Sequence, residues 1–267
     1  MLKELLTGFY NTPPLWKNIQ FGVQQFQMPT VDPVTDISIQ IPERLRLGHK
    51  MEYVFKHLIK LSETYEVSHS NMNVEEGKLR IGELDFILKE RNSNTNLHVE
   101  LAYKFYIINP EISQPIYRLI GPNKRDMFYT KLDKLKEKQF PLLFHNSLEQ
   151  HWEADGIQPS EIVQQCCFKA QLFVPYGEKV SIRPLNTDCI TGSWIRFDDF
   201  KTPEFQAFEY YVPRKIEWVM APHNSVDWLS HYETLLEVNL RVIKENAPML
   251  WVKTTAGEIK KLFVVWW

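Results

Sequence analysis

Residues 82–104 read GELDFILKERNSNTNLHVELAYK and carry the most informative pattern in the chain. The stretch predicts two β-strands joined by a polar loop. Side chains alternate across a strand, so His98, Glu100 and Lys104 share one face of the second strand. The residues on its opposite face are all apolar: Val99, Leu101, Tyr103 and Phe105. The pattern therefore predicts a buried sheet that carries a patch of charge.

That charged patch predicts a cation site. Asp85 lies on the first strand and Glu100 on the second, and a charge in a buried sheet is costly unless it is paired or bound to a cation. Magnesium prefers oxygen ligands and keeps several waters, so two carboxylates suffice to bind it. We therefore predict Asp85 and Glu100 as ligands of Mg²⁺ or Mn²⁺.

The chemistry expected of such a site is phosphodiester hydrolysis. The metal would polarise a phosphoryl oxygen and lower the pKa of a bound water. A nearby lysine would orient that water or neutralise the charge that develops on the phosphate. The chain has no Gly-x-Ser-x-Gly, His-Glu-x-x-His, phosphate-loop or dinucleotide-turn motif, so these residue types favour phosphodiester hydrolysis over acyl transfer.

Bulk composition describes a folded soluble protein. The 267 residues are 44% hydrophobic and 24% charged, and 31 basic residues face 33 acidic ones. This balance gives no support to a strong nucleic-acid binder, although it is compatible with a local basic groove. Three cysteines do not make a disulfide framework, and no signal peptide or membrane span is recognisable. We expect buried reduced thiols, a cytoplasmic protein and no membrane partner.

The elements around residues 82–104 predict an αβββαβ core. Apolar residues at helical spacing predict a helix over residues 43–66, with Glu52 on the flank of its apolar stripe. The predicted strands span residues 65–72, 78–88, 97–108 and the run CCFKAQLFVP at 166–175. A second helix, predicted over residues 123–140, carries three basic residues that we expect to contact nucleic acid: Lys124, Arg125 and Lys131. A solvated helix face would explain the same charges.

Three domains are predicted within an α/β fold. Residues 1–42 form an N-terminal arm, residues 43–176 an α/β core with a mixed sheet flanked by helices, and residues 177–267 a C-terminal α+β extension packed on the core. Within the extension we predict short strands at residues 192–197, 208–213 and 215–220, a helix at residues 225–246 and a hairpin around residues 256–257.

The acidic motifs resemble those of a known superfamily. The helix residue Glu52, the strand GELD at 82–85 and the strand HVELAYK at 98–104 are similar to the PD-(D/E)XK nuclease-like superfamily. More closely, several motifs resemble a bacterial family filed as a domain of unknown function: TPPLW at 12–16, GELDFIL at 82–88, VELAYKFY at 99–106, and GPNKRD at 121–126 followed by KLDKL at 131–135. This closer resemblance covers most of the chain.

The superfamily resemblance implies a restriction-endonuclease-like fold and a role for each matching residue. Asp85 and Glu100 would bind the metal, Glu52 would be a further acidic catalytic residue, and Lys104 would be the catalytic lysine. The superfamily has its lysine two residues after the glutamate, where this chain has Ala102. Lys104 lies four residues after the glutamate on the same face, about 7 Å further along the strand than that position. Lys131 is a second candidate.

Simpler interpretations of the same residues remain open. Asp85 and Glu52 could be edge charges, Glu100 and Lys104 a structural ion pair, and His98 a hydrogen-bonded strand histidine. Two functions follow from these alternatives. The first is a Mg²⁺- or Mn²⁺-dependent nuclease acting on DNA or RNA; the second is a catalytically inactive module on the same fold that binds nucleic acid or a protein partner.

Overall fold

The computed structural model describes residues 1–267 and is an α/β protein with a large mixed β-sheet flanked by helices. Its helices are α1 Leu2–Asn11, α2 Leu47–Leu61, α3 Phe128–Lys134, α4 Glu149–Asp155, α5 Phe197–Phe200 and α6 His231–Val242. Its strands are β1 Ile19–Gln20, β2 Val23–Gln24, β3 Tyr65–Glu76, β4 Leu79–Glu90, β5 Asn96–Ile108, β6 Leu119–Ile120, β7 Val163–Pro175, β8 Ile190–Arg196, β9 Glu209–Tyr211, β10 Met249–Lys253 and β11 Ile259–Val265.

Two compact units divide the chain. The first unit contains residues 14–103 and 130–169, and the second contains residues 1–13, 104–129 and 170–267. Strands β5 and β7 each begin in the first unit and end in the second. The carboxylates predicted from the sequence therefore belong to the first unit, and Lys104 begins a segment of the second. The predicted division into arm, core and extension stays a prediction.

In the first unit, β3, β4 and β5 form an antiparallel meander, and β7 is the next strand after β5. Helix α2 packs against β3 and contributes a buried apolar row at helical spacing. The Phe55 ring lies 4.7 Å from the Phe86 ring of β4, measured between centroids, and both side chains are fully buried. This contact fixes α2 beside the strand that carries Asp85.

A second apolar cluster of the first unit joins β3 and β4 to residues 142–162. Leu84 and Ile87 of β4 pack with Leu143 and Trp152 of this segment. Gly82 packs closely against this segment, because a Cβ there would come within 2.3 Å of the Leu142 side chain, which would have to move. The strand bearing Asp85 is thus held by packing along most of its length.

In the second unit, β7 and β11 flank β8 in parallel orientation, and β10 and β9 follow β11 in antiparallel orientation. The hairpin predicted around residues 256–257 is confirmed: Lys253 pairs with Ile259, and Gly257 has a φ of 80°. The parallel and antiparallel pairs together make the sheet mixed, as the sequence predicts.

The basic helix predicted over residues 123–140 is shorter and less regular than expected. It is α-helical only in α3, continues as a π-helical turn over Leu135–Gln139, and ends in a 3₁₀ segment over Phe140–Phe144. Pro141 cannot donate a backbone hydrogen bond, so a regular α-helix could not continue through this point. Before α3, the Gly121 N–H donates to the Asp126 carbonyl and closes a turn.

Two predictions for the second unit are wrong. The helix predicted from residue 225 begins at residue 231, because Leu229 exchanges backbone hydrogen bonds with Tyr210 and is extended. Ser230 is its N-cap and forms a capping box with Glu233. The strand predicted over residues 215–220 is instead a 3₁₀ turn at Glu217–Val219.

The state of the cysteines agrees with the sequence-based expectation. Cys166, Cys167 and Cys189 are buried and form no disulfide, as predicted. No helix combines the length and the apolar composition that a bilayer-spanning segment needs.

We predict that Phe86→Ala lowers the free energy of unfolding by about 3–5 kcal/mol, because it removes a buried ring and its contact with Phe55. Denaturant unfolding measures the change. Phe144→Ala is the matched control, since 57% of that residue is exposed, and it should cost well under half as much. Equal losses in both variants would contradict the packing described for β4.

Candidate functional site

Asp85 and Glu100 meet where the β4–β5 ladder ends. The paired register stops at Phe86 and Val99, and one further step would set Asp85 opposite Glu100. Here the side chains accept the backbone hydrogens: the Asp85 N–H donates to Glu100 Oε1 (3.3 Å), and the Leu101 N–H donates to Asp85 Oδ2 (2.8 Å). The structure therefore brings the two predicted ligands together, and they link their strands beyond the ladder.

Glu100 is fully buried and has further partners on both oxygens. His98 Nε2 lies 2.9 Å from Oε1, and the Gln139 amide donates to Oε2. Gln139 is the last residue of the π-helical turn, a local irregularity that is frequent at functional sites. Its own Oε1 accepts from Lys131 Nζ at 2.7 Å. One amide thus connects the lysine of α3 to the carboxylate of β5.

The hydrogen bonds of His98 determine its tautomer. Gln164 Nε2 donates to the Phe140 carbonyl (2.7 Å), which can only accept, and the same nitrogen lies 3.0 Å from His98 Nδ1. His98 Nδ1 therefore accepts, and its proton resides on Nε2, which donates to Glu100. The imidazole is held as a neutral donor that fixes the orientation of the carboxylate.

The surroundings of Asp85 disfavour its charged form. Burial raises the pKa of Asp85 well above its usual value, and the neighbouring Glu100 carboxylate raises it further. Glu52 adds to this increase, while the Leu101 N–H and Lys131 oppose it. Burial also raises the pKa of the Cys166 thiol, which is therefore unreactive. A carboxyl group perturbed by burial and by a like charge is typical of functional sites.

Glu52 lies on α2 at the outer edge of this site. Its Oε2 accepts from Asn71 Nδ2 at 2.8 Å, and His49 Nδ1 is 3.0 Å from Oε1. The same Asn71 nitrogen donates to Glu83 Oε1 at 2.7 Å, from a left-handed backbone conformation with a φ of 55°. Glu52 therefore acts on Asp85 through its charge, and its oxygens are held by other side chains.

The other predicted basic residues have partners in the second unit or are exposed. Lys104 Nζ forms an ion pair of 2.5 Å with Asp126, so the structure gives the predicted catalytic lysine a different carboxylate. Lys124 Nζ lies 3.9 Å from the centroid of the Trp267 ring, a cation–π contact, and Arg125 is exposed. Ala102, in the usual lysine position, is buried.

The two carboxylates are the oxygen donors that the site offers to a metal ion. No group of three or more His, Cys, Asp and Glu side chains is arranged to hold an ion. The Asp85 and Glu100 carboxylates supply oxygen donors only, which suits Mg²⁺ or Mn²⁺ with water completing the coordination and does not suit zinc. Burial and the neighbouring Glu100 make a charged Asp85 costly, and a cation at the site would offset that cost.

Sequence patterns did not identify Gln139, Gln164 or Asn71 as site residues. Each is a neutral amide, and the run KEKQF around Gln139 looks like a polar helix surface. Gln139 reaches Glu100 across 39 residues of sequence, and Gln164 reaches His98 across 66. A long-range amide contact of this kind leaves no local pattern.

Comparison with known proteins yields one family. Over residues 28–265 the chain matches the model of a family described as a domain of unknown function (DUF1853). No curated protein and no solved structure matches the chain. The resemblance to a family of unknown function is confirmed, and the resemblance to the PD-(D/E)XK superfamily stays a prediction.

We predict that the free energy of unfolding of Asp85→Asn increases relative to that of the wild type as the pH rises. The raised pKa means that the carboxyl group contributes full stability below about pH 4, where an unfolded aspartate is protonated. This contribution is lost as the pH rises through the folded value. The asparagine has no charge to bury and keeps an acceptor for the Leu101 N–H. Urea unfolding at pH 5, 6.5 and 8 measures the difference.

Glu66→Gln is the control for this experiment, since it removes an exposed carboxylate paired with Arg91. Its difference from the wild type should change little over the same pH range. If the gap between Asp85→Asn and the wild type did not widen with pH, burial of the aspartate charge would not be the cause.

Proposed function

The chain belongs to the DUF1853 family, and we propose that it hydrolyses phosphodiester bonds of DNA or RNA with Mg²⁺ or Mn²⁺ at Asp85 and Glu100. The observation that carries the proposal is the pair itself: Glu100 is fully buried, and the pKa of Asp85 is raised by burial and by that neighbour. A divalent cation between the two carboxylates would compensate the charge that makes this arrangement costly.

The proposed site assigns a task to each side chain. Asp85 and Glu100 hold the cation, which when bound polarises a phosphoryl oxygen and lowers the pKa of a water. His98 keeps the Glu100 carboxylate oriented through its Nε2 proton. Gln139 donates to Glu100 Oε2 and so helps to hold the carboxylate that would bind the cation.

Lys131 is the better candidate for the catalytic lysine. Lys104 is engaged by Asp126 at 2.5 Å, whereas Lys131 is joined to Glu100 through Gln139 and lowers the pKa of Asp85 by its charge. A cation at this position would stabilise the negative charge that develops on the phosphate. We propose that a lysine from the facing helix replaces the lysine missing at Ala102.

The order of elements supports a nuclease-like fold for the first unit. Helix α2 is followed by strands β3, β4 and β5 and, after the two-residue β6, by α3, α4 and β7. Apart from the short β6 and the additional helix α4, this is the αβββαβ order that the superfamily resemblance implies. We propose that the first unit has a restriction-endonuclease-like fold and that the carboxylates at the end of the β4–β5 ladder are its active centre.

We predict that calorimetry detects one Mn²⁺ bound per chain, and that binding releases a proton at pH values where the raised pKa of Asp85 keeps its carboxyl group protonated. Titrations in two buffers of different ionisation enthalpy measure the proton. Asp85→Asn and Glu100→Gln should each weaken binding at least tenfold, while Glu66→Gln should bind like the wild type. Binding that both site variants retain would remove these residues as ligands.

We predict that the wild type cleaves DNA or RNA when Mn²⁺ is present and that Lys131→Ala slows cleavage by about 100-fold. Asp85→Asn and Glu100→Gln should abolish it. Lys104→Ala is the matched control and should retain most of the activity, because its partner is Asp126. A loss in Lys104→Ala with full activity in Lys131→Ala would reverse the lysine assignment.

A second candidate is a non-catalytic module that binds nucleic acid or a protein. The observation that favours it is that Ala102 is buried in the usual lysine position and both oxygens of Glu100 already accept hydrogen bonds. A gel shift with salt-sensitive binding and no metal-dependent cleavage would favour the nucleic-acid form of this candidate. Binding to neither DNA nor RNA, with a co-purifying protein, would favour the protein form.

A further inference from the structure

The outer face of helix α2 carries two lysines and a tyrosine beside the candidate site. Lys56 and Lys60 follow Glu52 by four and eight residues, so the three side chains form one row along the helix. Tyr53 lies within about 60° of both lysines around the helix axis, and it is 42% exposed. The buried residues of α2 lie on the opposite side of the helix. The outer face therefore presents two ammonium groups and one aromatic ring.

Two contacts with β3 set this face next to the candidate site. Lys56 Nζ donates to Ser70 Oγ at 2.7 Å, and the next residue of β3, Asn71, donates to Glu52 Oε2 at 2.8 Å. The anchor of Lys56 is thus one residue along β3 from the anchor of Glu52, and Lys60 lies one helical turn further along the row. All of these residues belong to the first unit, as the carboxylate pair does.

The charges of the two lysines are not neutralised within the chain. Neither Lys56 nor Lys60 forms an ion pair with a carboxylate, and the oxygens of Glu52 are held by His49 and Asn71. Burial and the charge of Lys60 lower the pKa of Lys56, so the two ammonium groups repel each other. Like charges at this spacing destabilise a helix, and a bound polyanion would offset their repulsion.

The ring of Tyr53 has no partner in the chain either, because it forms no hydrogen bond and packs on no other ring. A single exposed aromatic residue is ordinary. An exposed ring beside two unpaired lysines is the combination with which proteins bind single strands, since lysines contact the phosphates and a base stacks on the ring. The bases of a duplex are already paired and stacked, so the ring favours an unpaired strand.

We propose that the outer face of α2 binds single-stranded nucleic acid, with phosphates at Lys56 and Lys60 and a base stacked on Tyr53. This inference rests on the proposed function and deepens it, because it names a single strand as the substrate. The row of lysines ends at Glu52, so a strand bound along it reaches the outer edge of the candidate site. A duplex offers the phosphates without a free base and binds more weakly.

Fluorescence anisotropy of the full chain without divalent metal measures binding apart from cleavage. The probes are a fluorescein-labelled oligothymidylate of about 15 nucleotides and its duplex with the complementary strand. The wild type should bind the single strand at least tenfold more tightly than the duplex. Tyr53→Ala should weaken binding of the single strand about tenfold. Tyr232→Ala is the matched control at an exposed tyrosine of α6 and should bind like the wild type.

Titrations at several salt concentrations test the two lysines. Lys56→Gln with Lys60→Gln should make the slope of log K against log salt shallower by about 1.4, because each phosphate contact with a single strand contributes about 0.7. Lys3→Gln with Lys179→Gln is the matched control, since both lysines are exposed in the second unit, and it should keep the wild-type slope. Thermal unfolding verifies that every variant is folded.

A wild type that does not bind the single strand, or that binds the duplex equally well, would overturn the proposal. So would single-strand binding that neither Tyr53→Ala nor the double lysine variant weakens. Failure of the proposed function has a different signature, in which the variants weaken strand binding as expected while the wild type cleaves neither DNA nor RNA with Mn²⁺. That result would support the strand-binding face and remove the hydrolysis.

Discussion

Burial of two carboxylates at the end of a strand ladder is the constraint on which the first unit depends. A buried charge must be compensated by hydrogen bonds or by an opposite charge. Asp85 and Glu100 accept the backbone hydrogens of each other's strands, so the carboxylates take the place of ladder carbonyls. Removing either side chain would leave a partly buried backbone N–H without this acceptor. The carboxylates therefore link the strands as well as forming the candidate site.

The surrounding elements supply what the two carboxylates still lack. His98 reaches Glu100 from the same strand, held in one tautomer by Gln164 of β7. Gln139 reaches it from the π-helical turn, whose irregular backbone begins directly after α3 and ends before Pro141. These partners only partly offset the cost of a charged Asp85, because the pKa of its carboxyl group stays raised. The site is therefore a candidate for binding a cation.

Much of the first unit follows from local patterns in the sequence. The strands and α2 lie where the two- and three-to-four-residue periodicities predict them, and the pairing of Asp85 with Glu100 follows from alternation across one hairpin. Patterns failed where a long-range contact overrides local preference. Because Leu229 pairs with Tyr210 in an extended conformation, α6 begins later in the chain than predicted. A π-helical turn follows α3 where the spacing of Leu132 and Leu135 favours a regular α-helix.

The sequence by itself determined that Asp85 and Glu100 meet. Side chains alternate along each strand and the hairpin is short, so only one pairing register puts the apolar residues of both strands on the same face. The family followed from the sequence as well. Only the tertiary structure decided which lysine reaches them. Lys104 pairs with Asp126 and Lys131 acts through Gln139, and both choices depend on contacts between distant segments. Lysine side chains are long and flexible, so strand register fixes the face on which a lysine lies and leaves its partner to tertiary packing.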